Sequence, residues 1–167
     1  MRRESLPTTF NAVHRFVVVD PESGAATEAM NTYFAELDDR FPTGFDPGDT
    51  LVADAHTMRP PTGAFVIATE PAGGATVACG GLLTISDGIG EIKRMWVAPA
   101  VRGQGLGRRL LADLEDRSRR LGHQTLRLDT NGVLDEAIAM YTSAGYRSIE
   151  RYNDNPFAQR WFEKRHV

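Results

Sequence analysis

The chain has 167 residues, 41% of them hydrophobic and 25% charged, with a formal net charge of −3. That is the size and composition of one ordinary globular domain, which excludes a disordered chain, and the acidic balance gives no general attraction to nucleic acid. The one cysteine, Cys79, excludes an intrachain disulfide, no Cys/His grouping has metal-ligand spacing, and no apolar run is long enough for a membrane span. The expectation is a cytoplasmic protein with no nucleic acid, membrane or metal partner. The run Phe16 to Val19 after the basic Met1-Arg2-Arg3 is too short for a signal segment.

Arg15 to Asp20 is β-branched and reads as an opening strand. Pro21 and Gly24 turn the chain, and Ser23 offers a cap for a helix ending near Arg40. In that helix Met30, Tyr33, Phe34 and Leu37 fall at helical spacing and form a buried face. Phe41 to Pro61, with Pro42, Gly44, Pro47, Gly48, Pro60 and Pro61, reads as a loop with one short helical turn near Leu51 to His56. Three strands follow, Ala64 to Thr69, Thr76 to Ile85 and Ile89 to Val97, an antiparallel meander.

The helix from about Gln104 to Leu121 turns Leu106, Leu110, Leu111, Leu114 and Leu121 inward and stops at Gly122. Thr125 to Asp129 is a short strand and Asp135 to Ala144 a helix ended by Gly145. Tyr146 to Arg151 and Arg160 to Lys164 close the chain as strands. The strand to Val97, its helix and the strand at Thr125 make a crossover, so those two strands lie parallel.

Gly103, Gly105 and Gly107 sit where the first strand of that crossover meets its helix. Glycines allow close backbone approach, the helix start has unpaired N–H groups, and its dipole favours negative charge; together they make an anion cradle. The dinucleotide fingerprint fails, because a G-x-G-x-x-G begun at Gly103 ends on Arg108. A P-loop fails for want of a lysine followed by Ser or Thr, and no G-x-S-x-G elbow is present.

What matches is R-x-x-G-x-G at Arg102, Gly105 and Gly107, directly after E-I-K-R-M-W-V at Glu91 to Val97. This resembles the pyrophosphate-binding motif of the GNAT superfamily of acyl-CoA-dependent N-acetyltransferases. Ala137 to Tyr146, A-I-A-M-Y-T-S-A-G-Y, resembles the family's A-x-x-L-Y-x-x-x-G-F helix. The resemblance covers Glu91 to Tyr146 and departs from the common pattern at Leu134, where many members carry asparagine; Asn131 is an alternative source of that contact to pantetheine. It implies an α/β (mixed α+β) fold, one GNAT-like domain over residues 1–167. The central sheet is mostly antiparallel with one parallel, splayed strand pair, flanked by about four helices.

By the same resemblance, acetyl-CoA is the co-substrate. Arg102, Gly103, Gln104, Gly105, Leu106, Gly107 and Arg108 hold its pyrophosphate. Met95, Trp96 and Val97 offer backbone to pantetheine, and Asn131 and Ala137 join the cofactor contacts. Tyr141 corresponds to the tyrosine that protonates the departing thiolate; the plainer alternative is a core aromatic. Glu91 is the candidate base for direct attack without an acyl-enzyme, or else a structural carboxylate, and Asp129 is the second candidate. Cys79, in an apolar strand without an adjacent histidine, reads as a small buried filler.

The acceptor is expected between Glu36 to Asp49 and the strand bearing Glu91, where Glu36, Asp38, Asp39, Asp46 and Asp49 suit a cationic amine. The leading expectation is an N-acetyltransferase acting on a primary amine of a small molecule. A non-catalytic acyl-CoA-binding regulatory module and a protein N-terminal or lysine acetyltransferase are the alternatives. A homodimer stays open.

Overall fold

The computed structural model describes residues 13–48 and 54–166. Strand β1 (Val17–Val19) leads into helix α1 (Gly24–Arg40), whose first turn is capped by the Ser23 hydroxyl accepting from the Ala26 N–H. A single 3-10 turn, His56–Met58, precedes the meander β2 (Ala64–Thr69), β3 (Thr76–Ser86) and β4 (Ile89–Val97). Helix α2 (Leu106–Arg120), β5 (Thr125–Thr130), helix α3 (Asp135–Ser143), β6 (Arg147–Ile149) and β7 (Arg160–Arg165) complete the order. Of about four helices expected, three α-helices stand among the described residues. The short turn expected near Leu51 lies partly outside those residues, as does Asp49.

The seven strands form one sheet in the order β1-β2-β3-β4-β5-β7-β6. All neighbours are antiparallel except β4 and β5, the crossover pair. Alternation along the strands sorts side chains to two faces. On one, Leu82, Ile92, Leu126, Leu128 and Phe162 pack under Leu106, Leu110, Leu111 and Leu114 of α2 and under Tyr141 of α3. On the other, Phe65, Ile67, Cys79, Leu83 and Trp96 pack under Ala26, Ala29 and Met30 of α1. Leu121, expected inward, is 36% exposed. It follows the last full helical turn, where Gly122 at φ +85° stops α2 and turns the chain away from the core.

Glycines mark where helices come closest to the sheet. A Cβ on Gly80 would lie 2.9 Å from Leu114 Cδ1, and one on Gly81 2.2 Å from Met58 Sδ. A side chain at Gly80 would force Leu114 to shift and one at Gly81 would force Met58 to shift. Buried charge is compensated: Glu115, on α2, accepts from the Tyr146 hydroxyl at 3.1 Å and from Lys164 Nζ at 3.0 and 3.1 Å.

Candidate active site

β4 and β5 pair only through Ile89, Gly90 and Glu91, opposite Thr125, Leu126 and Arg127. Beyond Glu91 the two strands part. The cause is local: between Lys93 and Trp96 the register with β3 slips, two residues of β4 standing against Gly80, and Arg94 adopts φ +55°. This is a β-bulge, which bends its strand and increases twist. The Cys79 thiol donates to the Arg94 carbonyl at 3.4 Å, satisfying a group that the bulge removes from the ladder. Burial pushes that thiol up to about 12, so it is no nucleophile.

The opening leads into a cleft of about 1310 Å³ between α1, the β4–α2 turn, α3 and the β6–β7 loop. Every residue given a catalytic or cofactor-binding role by the resemblance lines it except Glu91 and Gln104. Gln104 is exposed on the turn but is not part of the wall.

The glycine turn has the form the anion cradle requires. Gly103 and Gly105 have φ of +78° and +80°, and a Cβ on either would meet nothing within 4 Å, so the space beside them is open. Gly105 caps α2 without a side chain, leaving the first-turn N–H groups to a ligand. Gly107 serves packing: its Cβ would lie 3.3 Å from Met140 Sδ. The arginines have protein partners. Arg108 donates to Ser143 Oγ at 2.6 Å and Arg109 to the His14 carbonyl at 2.5 Å. Arg102 holds both oxygens of Glu36, at 2.7 and 2.8 Å. The cradle is therefore chiefly main chain.

In the β3–β4 ladder, Ala98 N–H bonds the Val77 carbonyl. Alternation then gives Trp96 the next hydrogen-bonded pairing, with Cys79, and turns the N–H and C=O of Val97 into the gap. Val97 is thus available to pantetheine, and its carbonyl accepts from Arg102 Nε at 2.9 Å. Trp96, expected to offer backbone, spends it on β3, and its indole packs against α1. Asn131 is likewise engaged, donating to the Phe157 carbonyl at 2.9 Å and accepting from Val133 N–H at 3.0 Å. Ala137 lines the far wall on α3.

Tyr141 stands at the throat, 6% exposed, its hydroxyl 4.0 Å from Met95 Sδ. Burial, then the charge of Asp129, raise its proton affinity, so the phenol stays neutral. Glu91 is 4% exposed and behind the wall. Its Oε2 accepts from the Tyr152 hydroxyl at 2.6 Å and its Oε1 lies 3.4 Å from Lys93 Nζ. Burial raises its proton affinity, partly offset by Lys93 and by Tyr152.

Asp129, at the end of β5, does line the cleft, accepting from Asn153 at 2.5 Å and Asn155 at 3.0 Å. Sequence reasoning missed both asparagines, and it missed that Tyr33 and Phe34, which pack against the core as expected, also line the cleft. Asn153 and Asn155 lie in a polar loop between short strands with no pattern to set them apart. Of the acids expected at the acceptor end, Glu36 and Asp46 line the cleft. Asp38 is used structurally, accepting from the Phe45 N–H at 2.7 Å.

A sequence model of the acetyltransferase (GNAT) family matches residues 25–146. The chain belongs to the GNAT family. It is 32% identical over 120 residues to an IAA acetyltransferase of Azospirillum brasilense, spanning 71% of this chain and 77% of that protein. Its fold matches a GNAT-family acetyltransferase of Staphylococcus aureus Mu50 with a TM-score of 0.79 at 17% identity, over 90% of this chain and 99% of that one. A GNAT acetyltransferase of Elizabethkingia anophelis with acetyl-CoA bound matches at 0.65 and 15%, over 92% and 98%. The protein is thus a GNAT acetyltransferase, and the open glycine turn and splayed strands fit the acetyl-CoA that the family uses.

Proposed function

We propose that this protein transfers the acetyl group of acetyl-CoA directly to a primary amine of a small molecule. The observation that carries the reading is one cleft with the glycine turn and Tyr141 on its wall and a far end walled by aromatic rings. That end is narrowed where Phe41 and Phe45, after α1, meet Phe157 of the β6–β7 loop, with ring centroids 6.2 and 4.7 Å apart. A cleft walled by rings at that end suits a small amine better than an extended peptide.

In the reaction the neutral amine nitrogen attacks the thioester carbonyl carbon, a C–N bond forms and the C–S bond breaks. The sulfur leaves with a proton from Tyr141, and the proton lost by the amine passes through solvent to Glu91, which burial makes a stronger base than an ordinary carboxylate. The main-chain N–H of Val97 faces the gap and polarises the carbonyl oxygen. Cys79, buried and reduced, suits work in the cytoplasm.

The test is free-thiol release from acetyl-CoA across a panel of amines, amino acids, polyamines, aminoglycosides and peptides. Release with small amines and not with peptides is expected. Peptides alone as acceptors would replace this reading with a protein acetyltransferase. Tight acetyl-CoA binding with no acceptor at all would replace it with a binding module.

A further inference from the structure

If the acceptor is a small amine, as proposed above, the far end of the cleft constrains what carries that amine. Three half-buried rings line it, Phe34 from α1, Phe45 from the following loop and Phe157 from the β6–β7 loop. Phe34 and Phe45 are 5.3 Å apart between centroids, and Phe45 and Phe157 4.7 Å, all tilted to one another. Asp129 is tied to this wall through Asn155, whose amide donates to Asp129 Oδ1 and whose carbonyl oxygen accepts the Phe157 N–H at 3.1 Å.

Asp129 differs from Glu36, Asp54 and Glu91; Asp46, also on the cleft and outside any ion pair among the described residues, accepts from the Gly48 N–H at 2.9 Å. Glu36 is paired with Arg102, Asp54 with Lys93 and Arg94, and Glu91 with Lys93. Among the described residues no lysine or arginine forms an ion pair with Asp129; two neutral amides donate to it, one on each oxygen. Asn153 is itself fixed by the indole N–H of Trp161, which donates to its Oδ1 at 3.0 Å. A carboxylate offers about four acceptor positions, so lone pairs remain on both oxygens.

We infer that the acceptor is a primary amine carried on an aromatic group, its ammonium bound by Asp129 and its ring seated among Phe34, Phe45 and Phe157. Asn153 and Asn155 are positioning residues that hold the carboxylate in one plane beside the rings. The charge of Asp129 is felt across the cleft, raising the proton affinity of Tyr33, Tyr141 and Tyr152, although burial is the larger cause in each. Tilted ring packing adds about three- to tenfold in affinity for an aromatic group over a saturated one of the same size.

The experiment measures thiol release from acetyl-CoA with 2-phenylethylamine, its saturated counterpart 2-cyclohexylethylamine, spermidine and a lysine peptide. The expected result is kcat/KM about three- to tenfold higher for the aromatic amine than for the saturated one, with spermidine poorer than both. Asp129→Asn, an isosteric change, raises the amine KM about 10- to 100-fold with the acetyl-CoA Kd unchanged. Asn155→Ala raises the amine KM while kcat is kept. Phe157→Leu keeps apolar volume and abolishes the preference for the ring at an unchanged melting temperature. Equal use of ring and saturated amine, or preference for spermidine or the peptide, overturns the inference; equal use, or a preference for spermidine, leaves acetyl transfer to a small amine intact. Failure of every amine despite acetyl-CoA binding overturns the proposed function, and this inference with it.

Discussion

Arg102 and Glu36 are joined by two hydrogen bonds, at 2.7 and 2.8 Å, across the mouth of the donor cleft. Arg40, one turn beyond Glu36 on α1, reaches Glu136 at the start of α3 at 3.1 Å. The end of α1 thus bridges the two walls between which pantetheine would pass. The Arg102 guanidinium is committed to a carboxylate before any pyrophosphate arrives. Freeing it should help the donor: with side chains 39% and 20% exposed, the pair is worth about 1 kcal/mol or less. Glu36→Gln should therefore tighten acetyl-CoA binding by up to about fivefold in calorimetry. Weaker binding would mean that Arg102 serves the donor only when Glu36 positions it.

Gly105 separates backbone strain from charge. At φ +80° with open space around its Cβ, alanine there meets no clash and costs only the left-handed conformation, about 1–2 kcal/mol. Gly105→Ala should lower the melting temperature by about 2–8 °C and bind acetyl-CoA with little change. Gly105→Glu carries the same strain and places a carboxylate in the cradle. It should melt like the alanine variant and lose acetyl-CoA binding; retained affinity would falsify the cradle as the pyrophosphate site.

Tyr141 keeps its proton at every working pH, because burial and Asp129 both oppose its ionisation. A phenol that holds its proton firmly is a reluctant acid toward a thiolate, so its effect should fall at or below the usual range for a general acid. Tyr141→Phe should lower kcat about 10- to 100-fold with the acetyl-CoA Kd nearly unchanged. The rate should not fall at high pH through Tyr141 itself. Equal kcat in the two proteins would make Tyr141 a packing residue of the α3 face.

The Tyr152 hydroxyl stabilises Glu91 as a carboxylate, against a burial cost that raises its proton affinity. Removing that donor raises the affinity further, so Glu91 needs a higher pH to ionise. If Glu91 accepts the amine's proton, Tyr152→Phe should move the acid limb of kcat/KM to higher pH, and Glu91→Gln should remove it. A limb unmoved by both changes would remove Glu91 as the base.

The pattern of the chain made most of the fold legible. Apolar alternation and turn residues place β2 and β4 at their observed bounds and the remaining strands and helices within a few residues. The glycine turn was readable because φ above zero leaves a mark in sequence, as at Gly103 and Gly105. The bulge was not, since Arg94 is an unusual residue for that conformation and its stabilising partner, Cys79, is fifteen residues away. Asp129 could be named only as the second candidate base, because its hydrogen-bond partners come from the β6–β7 loop. Glu91 could be read as a base or as a structural carboxylate, and only the packing of Tyr152 and Lys93 shows it behind the wall.

Glu163 on β7 tests the sheet edge that supports this site. Its side chain is 9% exposed and accepts from Arg127 of β5 at 3.0 Å and Arg147 of β6 at 3.1 Å, tying three strands together. Burial pushes its proton affinity up, but the two arginines outweigh it and hold the carboxyl below the usual range. A carboxylate with a lowered folded value contributes stability above its unfolded value, and that contribution fades as pH falls through the folded value. Removing one member of a buried pair costs about 3–5 kcal/mol, but Arg147 is 64% exposed and screened by water, so about 1–2 kcal/mol is expected for Glu163→Gln. At pH 7 the variant should melt about 2–8 °C lower. In acid, as pH falls below the usual carboxylate range, the two proteins should converge, because wild-type Glu163 is then losing its own charge. A gap that stayed constant down to pH 2 would mean that packing of the side chain, not its charge, links β5, β6 and β7.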